Sequence, residues 1–175
     1  MNKILLSSLL ILGISTSVQA EDWTFFSDNN IEDKQYGLAL IGGSLDLHQH
    51  DNSGSIHGLE LSFIAPCVKA SEHTIRQQVS LTKFDKGSMN IYSLEANPHY
   101  LYQVEEHTYL GVGPSLGLMK VEGDDVYASF GVGVSIRKDL TDNLFLGAEY
   151  RRNYATDNDY SNTRFMGKIG YFFNK

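Results

Sequence analysis

The sequence predicts an all-β fold, an eight-stranded antiparallel up-and-down transmembrane β-barrel. Three observations carry that reading. The stretch 163–173 (TRFMGKIGYFF) puts Phe165, Gly167, Ile169, Tyr171 and Phe173 on one face. Arg164, Met166, Lys168, Gly170 and Phe172 fall on the other, because successive side chains of a strand alternate. An aromatic-ended apolar face backed by cations and glycine suits a strand between lipid and a polar lumen. Seven earlier segments read as strands of about 11–13 residues, against roughly 5–6 in soluble sheets and about 9–11 needed to cross a bilayer at a tilt. Finally, the chain opens with an export leader.

Lys3 supplies the positive start of that leader, residues 4–14 its apolar run, and Val18-Gln19-Ala20 the small-residue cleavage pattern. Cleavage is predicted after Ala20, making 1–20 a signal peptide. The apolar run is too short for a membrane anchor, which needs roughly 20 residues. Residues 21–35 show no clear period and read as a periplasmic N-terminal lead or a short plug-like segment. Residues 36–175 form the barrel domain. Removing the leader takes away Lys3, so the net charge of −7 becomes one unit more negative. That argues against nucleic-acid phosphate as a partner and against a basic helix on a membrane surface. Cys67 is the only cysteine. It allows no internal disulfide, and it lies too far from the cleavage site to carry a lipid anchor.

The eight strands are expected at 36–48, 56–66, 73–84, 90–102, 107–119, 126–138, 144–154 and 163–173. The first changes phase near Gly42-Gly43, which predicts a β-bulge. In the second, Leu59, Leu61 and Phe63 oppose Gly58, Glu60 and Ser62. In the third, Ile75, Val79 and Leu81 oppose Arg76, Gln78, Ser80 and Thr82, with Gln77 breaking the apolar face. In the fourth, Tyr92, Leu94, Ala96, Pro98 and Tyr100 oppose Ser93, Glu95, Asn97 and His99. The fifth sets Leu110, Val112, Pro114, Leu116 and Leu118 against Tyr109, Gly111, Gly113, Ser115 and Gly117. Pro114 has no amide proton for the ladder and marks a bulge or a strained pair. The sixth sets Ala128, Phe130, Val132, Val134 and Ile136 against Ser129, Gly131, Gly133, Ser135 and Arg137. The seventh sets Leu144, Leu146, Ala148 and Tyr150 against Gly147, Glu149 and Arg151. With the amino terminus in the periplasm, segments 49–55, 85–89, 120–125 and 155–162 are outer loops; 67–72, 103–106 and 139–143 are periplasmic turns.

Alternation alone does not say which face meets lipid. An eight-stranded barrel has a lumen just wide enough for side chains. The glycine and serine face is small enough for it, and the bulky face then points outward. Aromatics near several strand ends suit the two membrane interfaces. The export leader, the eight strands and the ending GKIGYFF resemble the small eight-stranded outer-membrane barrels, the class of the outer membrane protein A transmembrane domain and outer membrane protein X. The likeness is architectural and spans nearly the whole mature chain. Asn174 and Lys175 follow Phe173, whereas such proteins commonly end on the aromatic residue. The resemblance implies outer-membrane lipids and lipopolysaccharide as surroundings and the barrel-assembly machinery as a partner; it names no surface partner and no cofactor.

The lumen charge network is expected from Glu60, Arg76, Glu95, His99, Arg137, Glu149, Arg151 and Lys168, because buried charge must be paired. Glu149 and Arg151 are neighbours on one strand, and the next brings Lys168 alongside. Lipid contact is expected from Leu110, Leu116, Phe130, Val132, Leu146, Ile169, Tyr171 and Phe173. Ser93, Glu95, Asn97 and His99 share a face, but same-face neighbours stand about 6.5–7 Å apart, too far for a nucleophile and its base. Lipid A deacylases place a histidine and a serine two apart on a late strand; AEYRRNYATDNDYSN here has no histidine. His48, His50 and His57, near Asp46 and Asp51, match no metal motif and read as a polar loop. GVGPSLG is followed by no lysine and helix start, as a phosphate loop requires. The expected function is therefore a non-enzymatic membrane or interaction protein. The alternatives are a lipid-modifying hydrolase, a narrow pore, or a soluble periplasmic barrel with an apolar ligand.

Overall fold

The computed structural model describes residues 24–25, 35–48, 52–69, 73–87 and 89–173. The strands are β1 (Thr24–Phe25), β2 (Tyr36–Leu47), β3 (Asn52–Lys69), β4 (His73–Lys86), β5 (Met89–Glu105), β6 (Thr108–Val121), β7 (Val126–Asp139), β8 (Leu144–Ala155) and β9 (Asn162–Phe172). A 3-10 turn, Asn158–Tyr160, precedes β9. Neighbours pair antiparallel from β3 through β2, β9, β8, β7, β6 and β5 to β4, and a β3–β4 pairing closes the barrel. The two-residue β1 adds Thr24 and Phe25 against Lys69 and Val68, so part of the lead joins the sheet. The rest of the lead and the whole leader lie outside the described residues.

The register fixes the shape. Starting at Asp46, the partners run Thr163, Arg152, Val132 and Pro114. Across β5, β4 and β3 they continue through Pro98, Gln77 and Phe63 and return to Tyr36. The circuit slips ten residues along β2, from 46 to 36. For eight strands this corresponds to a tilt of about 40° and a radius of about 8 Å.

Pro98 and Pro114 face each other between the pairs Ala96↔Leu116 and Tyr100↔Val112, and the β5–β6 ladder is interrupted there. Neither has an amide proton to give, yet the register is the same on both sides. Pro114 thus marks a gap rather than a bulge. The irregular pairings lie elsewhere, at Ile64/Lys69 between β3 and β4 and at Gln103/Glu105 between β5 and β6.

The bulge expected at Gly42-Gly43 is absent. β2 pairs without a shift with both β3 and β9. Gly37, Ala39, Ile41, Leu45 and Leu47 all point inward. What changes along β2 is the lumen, which becomes apolar toward its far end. There Ile41, Leu45, Leu47, Ile56, Phe84, Ile91, Met119, Val121 and Met166 form one buried cluster. A smaller cluster, Ala39, Phe145 and Phe172, sits near the end that carries residues 35 and 173. Charged side chains fill the space between. The strands also outrun their expected limits, β3 and β5 most, so the links at the far end are short. Two of them turn on glycines in the left-handed region, Gly87 at φ 59 and Gly123 at φ 83.

Candidate functional site in the lumen and on the outer wall

The middle of the lumen holds a chain of alternating charge. Glu60 accepts from Lys168 at 2.5 Å, and Lys168 also contacts Glu149 at 2.5 Å. Glu149 accepts from Arg151. Arg151 reaches Glu95 at 2.6 Å, and Glu95 takes Arg164 at 2.7 Å. Asn153 adds a 3.3 Å hydrogen bond to Glu95. All six charged groups are buried. Arg151 and Arg164 are direct cross-strand partners on β8 and β9, a like-charge pairing that is unfavourable by itself. Glu95 reaches across from β5 and bonds both.

Glycine makes the room for this. A Cβ on Gly117 would stand 2.5 Å from Cγ of Glu95, and one on Gly131 would stand 2.1 Å from Oδ1 of Asn153. The glycine-rich face of β6 and β7 is the floor on which long side chains from β5 and β8 lie.

Toward the chain termini, Arg76 donates to Ser62 Oγ at 3.2 Å and to the backbone oxygen and Oε1 of Gln35. Nε of Arg137 lies 2.9 Å from Asp139. Both guanidiniums stand over the Phe172 ring, at 4.7 and 5.3 Å, and Arg137 also covers Tyr109 at 4.3 Å. His99 shares a 3.1 Å hydrogen bond with Ser135 through Nδ1, while its Nε2 stands 3.9 Å from Glu149.

The structure therefore places Glu60, Arg76, Glu95, His99, Arg137, Glu149, Arg151 and Lys168 inside the barrel. Sequence reasoning left Arg164, Asp139 and Asn153 out of this group. The signal was present for each: Arg164 has the parity of Lys168, Asp139 that of Arg137, and Asn153 that of Arg151. Ser93 bonds Arg164 at 3.4 Å, and His99 turns to Ser135 instead. The separation of 3.9 Å leaves Glu149, already engaged by two cations, without a hydrogen bond to orient the imidazole. No hydrolytic triad geometry results. His48 bonds Thr163 at 2.8 Å and His57 stands 3.7 Å from Asp85; His50 lies outside the described residues.

On the outer wall, Leu110, Leu116, Phe130, Val132, Leu146, Ile169, Tyr171 and Phe173 are all exposed. Aromatics form two belts around them. Tyr36, Tyr102, Tyr171 and Phe173 ring the end that carries the chain termini. Tyr92, Phe130, Tyr154 and Phe165 ring the other, with Phe130 and Tyr154 stacked at 5.5 Å. The second belt is incomplete. On β2, β3 and β4 the same level carries Ser44, His57 and Lys83, with Lys83 bonded to Asp85 at 2.5 Å.

No protein-family model and no curated protein matches the chain. Solved structures do. Ail, the attachment invasion locus protein of Yersinia pestis, is 13% identical with a TM-score of 0.58, over 81% of this chain and 99% of that one. Neisserial surface protein A is 17% identical with a TM-score of 0.55, over 81% and 97%. The Yersinia pestis protein in complex with the heparin analogue sucrose octasulfate is 13% identical with a TM-score of 0.56, over 80% and 97%. At these identities the likeness is one of fold. The chain has the fold of the small eight-stranded outer-membrane β-barrels.

Proposed function

We propose that this protein is an exported, non-enzymatic β-barrel of the Gram-negative outer membrane, with a structural or interaction role exercised through short surface loops. One observation carries the reading: the barrel is inside out. Its exposed wall is apolar between two aromatic belts, and its charges are buried in the lumen. A soluble barrel has the reverse arrangement. The belts stand ten residues apart on β5, Tyr92 to Tyr102, and eight on β9, Phe165 to Phe173. That is about 20–25 Å along the axis for strands tilted by about 40°, matching the roughly 25 Å apolar band of outer-membrane barrels. Residues 1–20 then serve as the leader, the chain termini lie in the periplasm, and the exposed wall residues named above meet lipid.

The outer links carry Glu122, Asp124, Asp125, Asp157 and Asp159. These carboxylates repel a polyanion, so the sulfated ligand of the Yersinia protein is not carried over. They favour lipopolysaccharide bridged through divalent cations. The filled lumen, with its apolar layer and its ion pairs, speaks against a pore. Membrane fractionation tests the proposal: the protein is expected in the outer-membrane fraction, and recovery in the soluble periplasm would overturn it.

A further inference from the structure

Among the described residues, the lower lumen carries more positive charge than it neutralises. The six-member chain from Glu60 to Arg164 is balanced, three carboxylates against three cations. Below it stand Arg76, Arg137 and Asp139. Arg137 takes the carboxylate. Among the described residues Arg76 has no carboxylate within ion-pair distance, and its bonded neighbours Ser62 and Gln35 are neutral. The two guanidiniums share the Phe172 ring and so lie within about 10 Å of each other. Arg76 is 3% exposed. Its Nε and the Nη1 of Arg137 are buried donors that find no acceptor among the described residues.

Both arginines line a recess of about 370 Å³, its open mouth included, together with Gln78, Ser135, Phe145 and the ion pair of Glu60 with Lys168, in which the carboxylate is already neutralised. Its enclosed part has room for a group the size of a water molecule or two. A buried donor left unpaired costs free energy, more when it is charged. Water could satisfy the donors but would leave the surplus charge in a low-dielectric site. A single anion does both.

We propose that this recess binds a small monovalent anion of halide size, held between Nε of Arg76 and Nη1 of Arg137. The proposal is independent of the membrane reading, because it rests on the lumen alone. The first test is bromide soaked into crystals of the folded, detergent-solubilised protein. An anomalous peak within hydrogen-bond reach of both arginines is expected. No peak there, or an adventitious ion only at the surface, would overturn the site. The second test compares the thermal midpoint in sodium bromide and in sodium gluconate at equal ionic strength. The halide should raise the midpoint of the unmodified protein. Arg76→Gln should weaken the apparent bromide affinity about tenfold or more, the equivalent of one charged hydrogen bond. An Arg76→Gln protein that folds and keeps the full halide response would sink the proposal. Should that variant not fold, the bromide peak decides.

Discussion

Glu95 shows what a single residue does in this lumen. It bonds Arg151 and Arg164, whose placement as direct partners on β8 and β9 would otherwise set two cations face to face. Glu95→Gln keeps the shape and removes the charge. It should cost about 3–5 kcal/mol, the usual range for breaking a buried ion pair from one side. Urea unfolding in lipid vesicles measures this, and a cost under 1 kcal/mol would show that the arginines find other partners. At the far end, the hydroxyl of Tyr160 donates to Asp124 at 2.6 Å. This bond holds the Asp124 carboxyl below its ordinary range. A depressed carboxyl stabilises above its unfolded pKa, and the contribution is lost as pH falls through the folded value. Titration of Asp124 by carboxyl NMR should therefore move upward in Tyr160→Phe, and an unmoved midpoint would remove the hydroxyl as the cause. At this scale the sequence told, on every expected strand but the first, which side the charged residues take. It told partners only between adjacent strands, Lys168 beside Glu149; Arg164 was overlooked, because the carboxylate that needs it, Glu95, comes from β5.

Elements were legible where one face is uniformly apolar and obscure where both are. On β6 and β7, leucines and valines oppose glycines and serines, and parity is plain from the residues. On β2, Leu38 and Leu40 face outward while Leu45 and Leu47 face inward. Two apolar sets of opposite parity look like a phase change, although the strand never slips. The glycines between them differ in kind. A Cβ on Gly42 meets nothing within 4 Å, whereas one on Gly43 would stand 2.0 Å from the Phe165 backbone oxygen. On β6, a Cβ on Gly113 would stand 1.9 Å from the backbone oxygen of Pro98, beside the interrupted ladder. Gly113→Ala should thus cost about 1–3 kcal/mol by overpacking. Gly42→Ala should be neutral or stabilising by up to about 1 kcal/mol, since glycine weakens a strand interior. Denaturant midpoints of the two variants would separate close packing from chain entropy, and equal effects would contradict the assignment.

For the whole molecule, strand number, antiparallel order and closure were readable from strand length and alternation. The slip of ten residues around the barrel was not, because register is set by pairs of strands and no single segment records it. The outer surface gives the test. Val132 stands in the apolar band on β7. Val132→Arg should cost about 2–4 kcal/mol in a bilayer near the midplane. No penalty there would show that this wall does not face lipid. The apolar cluster at the far end of the lumen has a consequence for the ions below it. It sets an apolar layer between the charge chain and the far end of the barrel, while the recess beside Arg76 lies on the side of the chain termini, next to Phe145 and Phe172. On the orientation proposed above, with the termini in the periplasm, the interior would equilibrate with one compartment only. Its salt and its protons would then be those of the cell's own envelope, and a change in the surroundings would reach Glu149 or Arg76 only after the periplasm itself had changed.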